Sequence, residues 1–215
     1  MIRARQTCFC GLLRSATTAA NRSQSAALTS TLIPSRMAQY RTPCAIMESY
    51  DCVKPLAIGL GLYQFVPEQQ DLIKTRLQEG CNFRFVIFDV NSPHIAALDR
   101  SLGHGTGTLA AFIENCTDFF KKFQKEIEKL APKGKLDVRV YDAVPPWGLI
   151  AIDHEHPNGR ILIEFNGIQV EGSACPGAEI IPKEGGWYRF FYDQIALIWN
   201  AGKPLGAIQP AMKNG

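Results

Sequence analysis

Four histidines, at 94, 104, 154 and 156, are the residues of this 215-residue chain best suited to proton transfer near neutral pH. His104 lies in SLGHGTGT (101–108), where glycines free backbone amides to cradle an anion and a helix starts immediately afterwards. There it could donate a proton or touch a phosphate. The stretch lacks the Gly-Lys-Ser/Thr ending of a nucleotide-binding loop and the spacing of a dinucleotide fingerprint, so a plain connection is the competing reading. Asp153, His154, Glu155 and His156 concentrate four potential metal ligands. Successive residues of an extended segment point to opposite faces, so only alternate pairs converge and further ligands must come from elsewhere. A polar turn between two apolar strands is the simpler reading, and neither a metal nor a cofactor is expected.

Asp89, with Asn91 and Ser92 just beyond it, follows the apolar run FRFVIF, and Asp142 follows LDVRVY. Polar residues at the carboxyl ends of strands are where α/β folds hold ligands, although the same residues also cap turns. Asp89 and Asp142 join His104 as candidate catalytic groups. Arg84 and Arg139 sit inside these two apolar runs and need a carboxylate or a ligand if the sheet is covered, which adds them to Asn91 and Ser92 as candidate ligand contacts. Of the cysteines, Cys81, Cys116 and Cys175 would be nucleophiles only beside a base, and Cys116 falls on an apolar helix face, which suits core packing.

The elements that must position these groups are legible in outline. Residues 56–62 read as a strand with Gly59 and Gly61 allowing close backbone approach at its end, and Pro67 with Glu68 opens a helix stopped by Gly80. Residues 82–89 form the next strand, and 94–98 make a short helical turn. Leu109, Phe112, Ile113, Cys116, Phe119, Phe120, Phe123, Ile127 and Leu130 then recur at helical spacing and predict a long helix with one buried face. KLDVRVY (135–141) alternates as a strand. Residues 147–153 and 160–165 face each other across Asn158-Gly159 as an antiparallel hairpin, and Trp187, Phe190, Phe191, Gln194, Leu197 and Ile198 mark a final helix. The order β-α-β-α-β-β-β-α predicts an α/β domain: a mixed sheet flanked by helices.

The net charge of +3 is unevenly placed. Residues 1–47 hold six arginines and no Asp, Glu or Lys, leaving 17 basic against 20 acidic residues in the remainder. The domain is slightly acidic, and its charge does not support nucleic-acid binding. The leader, rich in Ser, Thr, Ala and Arg, has the composition of an organellar transit peptide, which points to the mitochondrion; a plain disordered extension of a cytoplasmic protein, or a start at Met37 or Met47, is the alternative. Seven cysteines without repeated spacing are not a disulfide framework, and no apolar run is long enough to span a membrane. The expected organisation is a disordered basic leader (1–47), one domain (48–205) and a flexible tail (206–215).

Leu72-Ile73, Glu79-Gly80-Cys81, the run from Phe83 to Asp89, Asn91-Ser92-Pro93, the run from Val138 to Asp142 and Pro145-Pro146 together resemble the bacterial phospholipase D-like domains that lack the usual catalytic signature. The resemblance covers about 140 residues and implies a single phospholipase D-like half-domain. In that superfamily a His-x-Lys motif supplies the nucleophile, and none of the four histidines here has Lys two residues on. The resemblance therefore implies a non-catalytic domain binding an anionic, phosphate-containing ligand or a protein partner. The alternative is an atypical phosphoester hydrolase using His104 with a loop carboxylate. Because such half-domains are usually paired, the resemblance also implies a possible homodimer.

Overall fold

The computed structural model describes residues 31–33 (backbone alone), 54–63, 65–101, 103, 107–143, 145–167, 175–182 and 186–207. Most of the arginine-rich leader and its expected targeting role, along with His104, lie outside these residues.

Among the described residues, eight strands and four helices follow in the order β1 (Thr31–Ile33), β2 (Leu56–Ile58), α1 (Phe65–Glu79), β3 (Phe83–Phe88), α2 (Ile95–Ser101), α3 (Thr108–Leu130), β4 (Leu136–Tyr141), β5 (Trp147–Ile152), β6 (Arg160–Phe165), β7 (Gly177–Ile180), α4 (Gly186–Ala201) and β8 (Lys203–Pro204), with a 3-10 turn at Leu205–Ala207. The strands form one mixed sheet in the order β1-β7-β6-β5-β2-β3-β4-β8. β2, β3 and β4 are parallel and every other pairing is antiparallel. An α/β domain with a mixed sheet flanked by helices is therefore what the chain adopts. Thr31–Ile33, within the stretch expected as leader, pairs with β7.

Strand alternation divides the sheet into two apolar faces. On the first, Ala57, Phe85, Ile87, Val138, Val140, Ile150, Ile152 and Leu162 pack beneath α1 and α3 through Phe65, Ile73, Leu77, Phe120, Phe123 and Ile127. On the second, Leu56, Ile58, Val86, Leu149, Ala151, Ile161 and Ile163 pack beneath α4 through Tyr188, Phe191, Ile195 and Ile198. Connection handedness accounts for this division. The crossovers from β2 to β3 and from β3 to β4 step one way across the sheet and place α1 and α3 on one face. The connection from β7 to β8 steps the same way along strands of reversed direction, so the same hand places α4 on the opposite face.

Local chemistry adjusts the expected boundaries. α1 begins at Phe65, two residues before Pro67, because a proline in the first turn removes an amide that has no partner within the helix. The β5–β6 reversal is wider than a two-residue turn. Asp153 takes a positive φ of 46°, and its carbonyl accepts from the His156 amide at 2.7 Å. Gly159 is needed there for room, since a Cβ would stand 2.2 Å from the Asp153 carbonyl oxygen.

The centre of the first face is aromatic: Phe120 lies 5.5 Å from Phe85 and 5.6 Å from Phe119, centroid to centroid, and is fully buried. Phe120→Ala is expected to destabilise the fold by about 3–5 kcal/mol, read as a lower urea midpoint with an unchanged transition slope.

Candidate functional site

The carboxyl ends of β2, β3 and β4 share one edge of the sheet, and the structure brings Asp89, Asn91, Ser92 and Asp142 together there. They are bound to each other and to the backbone. The Asp89 carboxylate accepts from the Asn91 amide at 2.9 Å and from the Asn91 side-chain nitrogen at 3.3 Å. Ser92 is buried; its hydroxyl donates to the Asp142 carbonyl at 2.9 Å and accepts from the His94 amide at 3.2 Å. This is the hydrogen bonding of a capped turn that ties the loop after β3 to the loop after β4. The crevice beside it, walled by Val86, Phe88, Tyr141 and Trp147, measures about 20 Å³, room for about one water and too small for a phosphate-bearing ligand.

Arg84 and Arg139 lie on the α4 face of the sheet, away from that edge. The Arg139 guanidinium stacks 4.0 Å from the Trp199 ring centroid, donates to the Trp199 carbonyl at 2.8 Å and stands 3.6 Å from the Asp137 carboxylate. Arg84 lies 5.4 Å from the same ring. Both strand arginines lean on Trp199, and the Arg139 Nε has no hydrogen-bond partner among the described residues. One of them meets the negative end of α4, where a cation is favoured.

At the start of α3, where the anion cradle was expected, the protein's own carboxylate takes two backbone amides. Asp99, 2% exposed on α2, accepts from the Gly107 and Leu109 amides, each at 2.8 Å. Two of the donors that a phosphate would use at the start of α3 are thereby taken.

Among the described residues no three His, Cys, Asp or Glu side chains are gathered to hold a metal. In the Asp153–His156 turn the side chains diverge: Glu155 and His156 are exposed, whereas His154 is 6% exposed and turns beneath α4. The His154 ring lies 5.6 Å from Tyr192, and its carbonyl accepts from the Tyr188 hydroxyl at 2.8 Å. Its Nδ1 has no hydrogen-bond partner among the described residues. Burial first, and the Arg84 charge second, push the imidazole down to about 4 against the opposing pull of Glu155 and Asp153. Burial likewise pushes the Cys116 thiol up to about 11, so Cys116 is a packing residue.

Among the described residues, a space large enough for a ligand lies on the first face beside α1. A cleft of about 270 Å³ has Gly148, Ile150 and Leu162 as its floor, with Tyr63, Phe65 and Phe112 among its walls and Glu164 and Asn166 at its polar end. α1 and α3 cover the sheet near β3, and the cleft is what they leave over β5 and β6. Gly61 brings the exit of β2 against α3, since a Cβ there would stand 2.5 Å from the Cys116 sulfur and 2.9 Å from the Phe112 ring. Phe112, expected in the buried stripe of α3, is 37% exposed and meets Tyr63 edge-on at 5.7 Å. Sequence reading missed this site because its lining is aliphatic, aromatic and glycine. Paired glycines at 59 and 61 and the glycine inside β5 were its traces.

No family model matches the chain, and no curated protein matches it. Among solved structures it is similar to TrmBL2, described as an archaeal chromatin protein with a novel mode of DNA binding, at 9% identity and a TM-score of 0.49. That match covers 84% of this chain but 56% of TrmBL2, so the chain spans little more than half that protein's length. It is also similar to Nuc, a phospholipase D family member from Salmonella typhimurium, at 11% identity and a TM-score of 0.41, over 81% of this chain and 97% of Nuc. A phospholipase D family member thus stands among its structural neighbours at low identity. With both TM-scores under 0.5, neither neighbour assigns the chain a family.

Two outcomes follow from this geometry. Asp99→Asn leaves one acceptor oxygen for two amides and is expected to cost about 1–3 kcal/mol, measured by urea unfolding. His154 ties stability to pH. Between pH 6.5 and about 4 the unfolded chain takes up a proton that the folded chain refuses, so stability is full above the ordinary histidine value and falls as the solution is acidified. His154→Phe is expected to remove about 2–3 kcal/mol of that pH dependence, seen by comparing urea midpoints at pH 7 and 4.5.

Proposed function

We propose that this chain is a non-catalytic binding domain, of the phospholipase D-like type its sequence resembles, and that its ligand seat is the cleft between α1 and the β5–β6 floor. The observation that carries the reading is the cleft itself: about 270 Å³ of largely apolar space with a few polar groups at one end, the usual make-up of a small-molecule site. The turn chemistry supports it further: the Asp89 carboxylate holds Asn91, the Asp142 carbonyl holds Ser92, and no histidine in the chain has the lysine two residues on that the hydrolytic signature requires.

The lining favours an apolar ligand without negative charge. Glu164 and Tyr63 are the titratable groups among the described lining residues, and a carboxylate at the polar end disfavours a second negative charge there. An anionic ligand, the expectation from the sequence, finds no support among the described residues. Arg84 and Arg139 serve Trp199, and the α3 amides serve Asp99.

A matched pair of probes tests the reading. N-phenyl-1-naphthylamine is neutral, and 8-anilinonaphthalene-1-sulfonate puts a negative charge on nearly the same skeleton. The neutral probe is expected to bind the full chain with the higher affinity. Gly148→Leu should weaken it at least about tenfold, because a Cβ at 148 meets only ordinary contact, 3.5 Å from the Ile58 carbonyl oxygen, while the rest of the side chain fills the cleft. Equal or tighter binding of the sulfonate, or neutral-probe binding indifferent to Gly148→Leu, would overturn the proposal.

A further inference from the structure

The cleft beside α1 is largely apolar, and its polar end carries a carboxylate. Side chains alternate along β6, so Glu164 shares the cleft face with Leu162, whereas Ile163 turns to the α4 face. Directly opposite Glu164 stand Gly148 on β5 and Gly177 on β7. Neither has a side chain to cover it, so the carboxylate sits half-buried at the head of a floor kept bare by glycine. Asn166 follows at the same end of the cleft; its side chain is exposed and its backbone N–H is tied to the Pro146 carbonyl at 2.9 Å.

The rest of the lining suits a flat apolar body. The floor at Gly148 has no side chain to stand in its way, and Tyr63 and Phe112 rise beside it as walls, edge-on to each other at 5.7 Å. Tyr63 is 55% exposed, so both rings keep surface to give to a ligand.

Charge decides the head group. A carboxylate drawn partly out of water gains most from an opposite charge that also donates hydrogen bonds to it. A protonated amine brings three N–H donors, and a carboxylate has about four acceptor positions, so a contact that Glu164 makes elsewhere still leaves room for a ligand. The Asn166 side-chain oxygen can take a further donor. A hydroxyl would offer a single donor without the charge, and an anion would be repelled. Resting on the reading of the cleft as the ligand seat, we infer that its ligand is an amine, with a flat apolar body on the Gly148 floor between the aromatic walls and a protonated nitrogen on Glu164.

Burial alone opposes this preference, which makes it diagnostic. Moving an ammonium from water into an apolar cleft costs more than moving a hydroxyl, so without the carboxylate the cleft favours the alcohol of a matched pair.

Displacement of N-phenyl-1-naphthylamine from the full chain reads the preference as a ratio. The competitors are 2-(1-naphthyl)ethylamine, a cation at neutral pH, and 2-(1-naphthyl)ethanol, its uncharged counterpart. In the wild type the amine is expected to displace the reporter at a concentration at least about tenfold lower than the alcohol. Glu164→Gln is expected to bring the ratio to one or below, and Glu164→Asp, which keeps the charge, to retain a preference for the amine. Each ratio is taken within one protein, so a variant that binds everything more weakly does not blur it. Reporter binding with a wild-type ratio near one overturns the amine and leaves the cleft as the seat. A ratio that survives Glu164→Gln overturns the role of Glu164. A wild type that binds no reporter removes the seat itself, and the amine falls with it.

Discussion

Strand β3 is buried on both sides, and the rest of the fold serves that condition. Phe83, Phe85 and Ile87 point to one face while Val86 points to the other, so neither side can be left to water. Two local crossovers supply α1 and α3 to the first face. The second face can be covered only by a helix from the antiparallel half of the sheet, so the chain travels from β7 across the sheet to β8. α4 lies along that route. Its far end is fastened by the stacking of Arg139 and Arg84 on Trp199, which turns two charges inside apolar strands into anchors for the last helix.

The fold was legible where burial is one-sided or periodic. The row from Leu109 to Ile127 announced α3, and LDVRVY announced β4, because each repeats a contact of constant geometry. Legibility failed where an element owes its existence to neighbours. β7 reads GAEI and β8 reads KP; neither has a pattern of its own, and each is a strand because a paired edge was waiting for it. Phe112 was misplaced for a related reason: helical spacing marks a face, but only the packed sheet decides where cover ends along it.

The candidate site divided in the same way. Asp89, Asn91, Ser92, Asp142, Arg84 and Arg139 were singled out as chemically able; Asp89, Asn91 and Ser92 share the hydrogen bonds of one turn, Asp142 joins them through its backbone carbonyl, and the two arginines lie against Trp199. In a single sequence a carboxylate that binds a ligand and one that caps a turn look alike, since the difference lies in whether a donor stands within three ångströms. The cleft had the reverse problem. Its aromatic and aliphatic lining is indistinguishable in sequence from core, and only the gap between α1 and the floor of β5 and β6 makes a site of it.

Asp99 has a consequence beyond its two hydrogen bonds. By joining α2 to the amides at 107 and 109 it pins both ends of the intervening segment to one buried carboxylate. The start of α3 is thereby set by α2 and not by the chain that immediately precedes it, so the two helices keep a common register against the sheet.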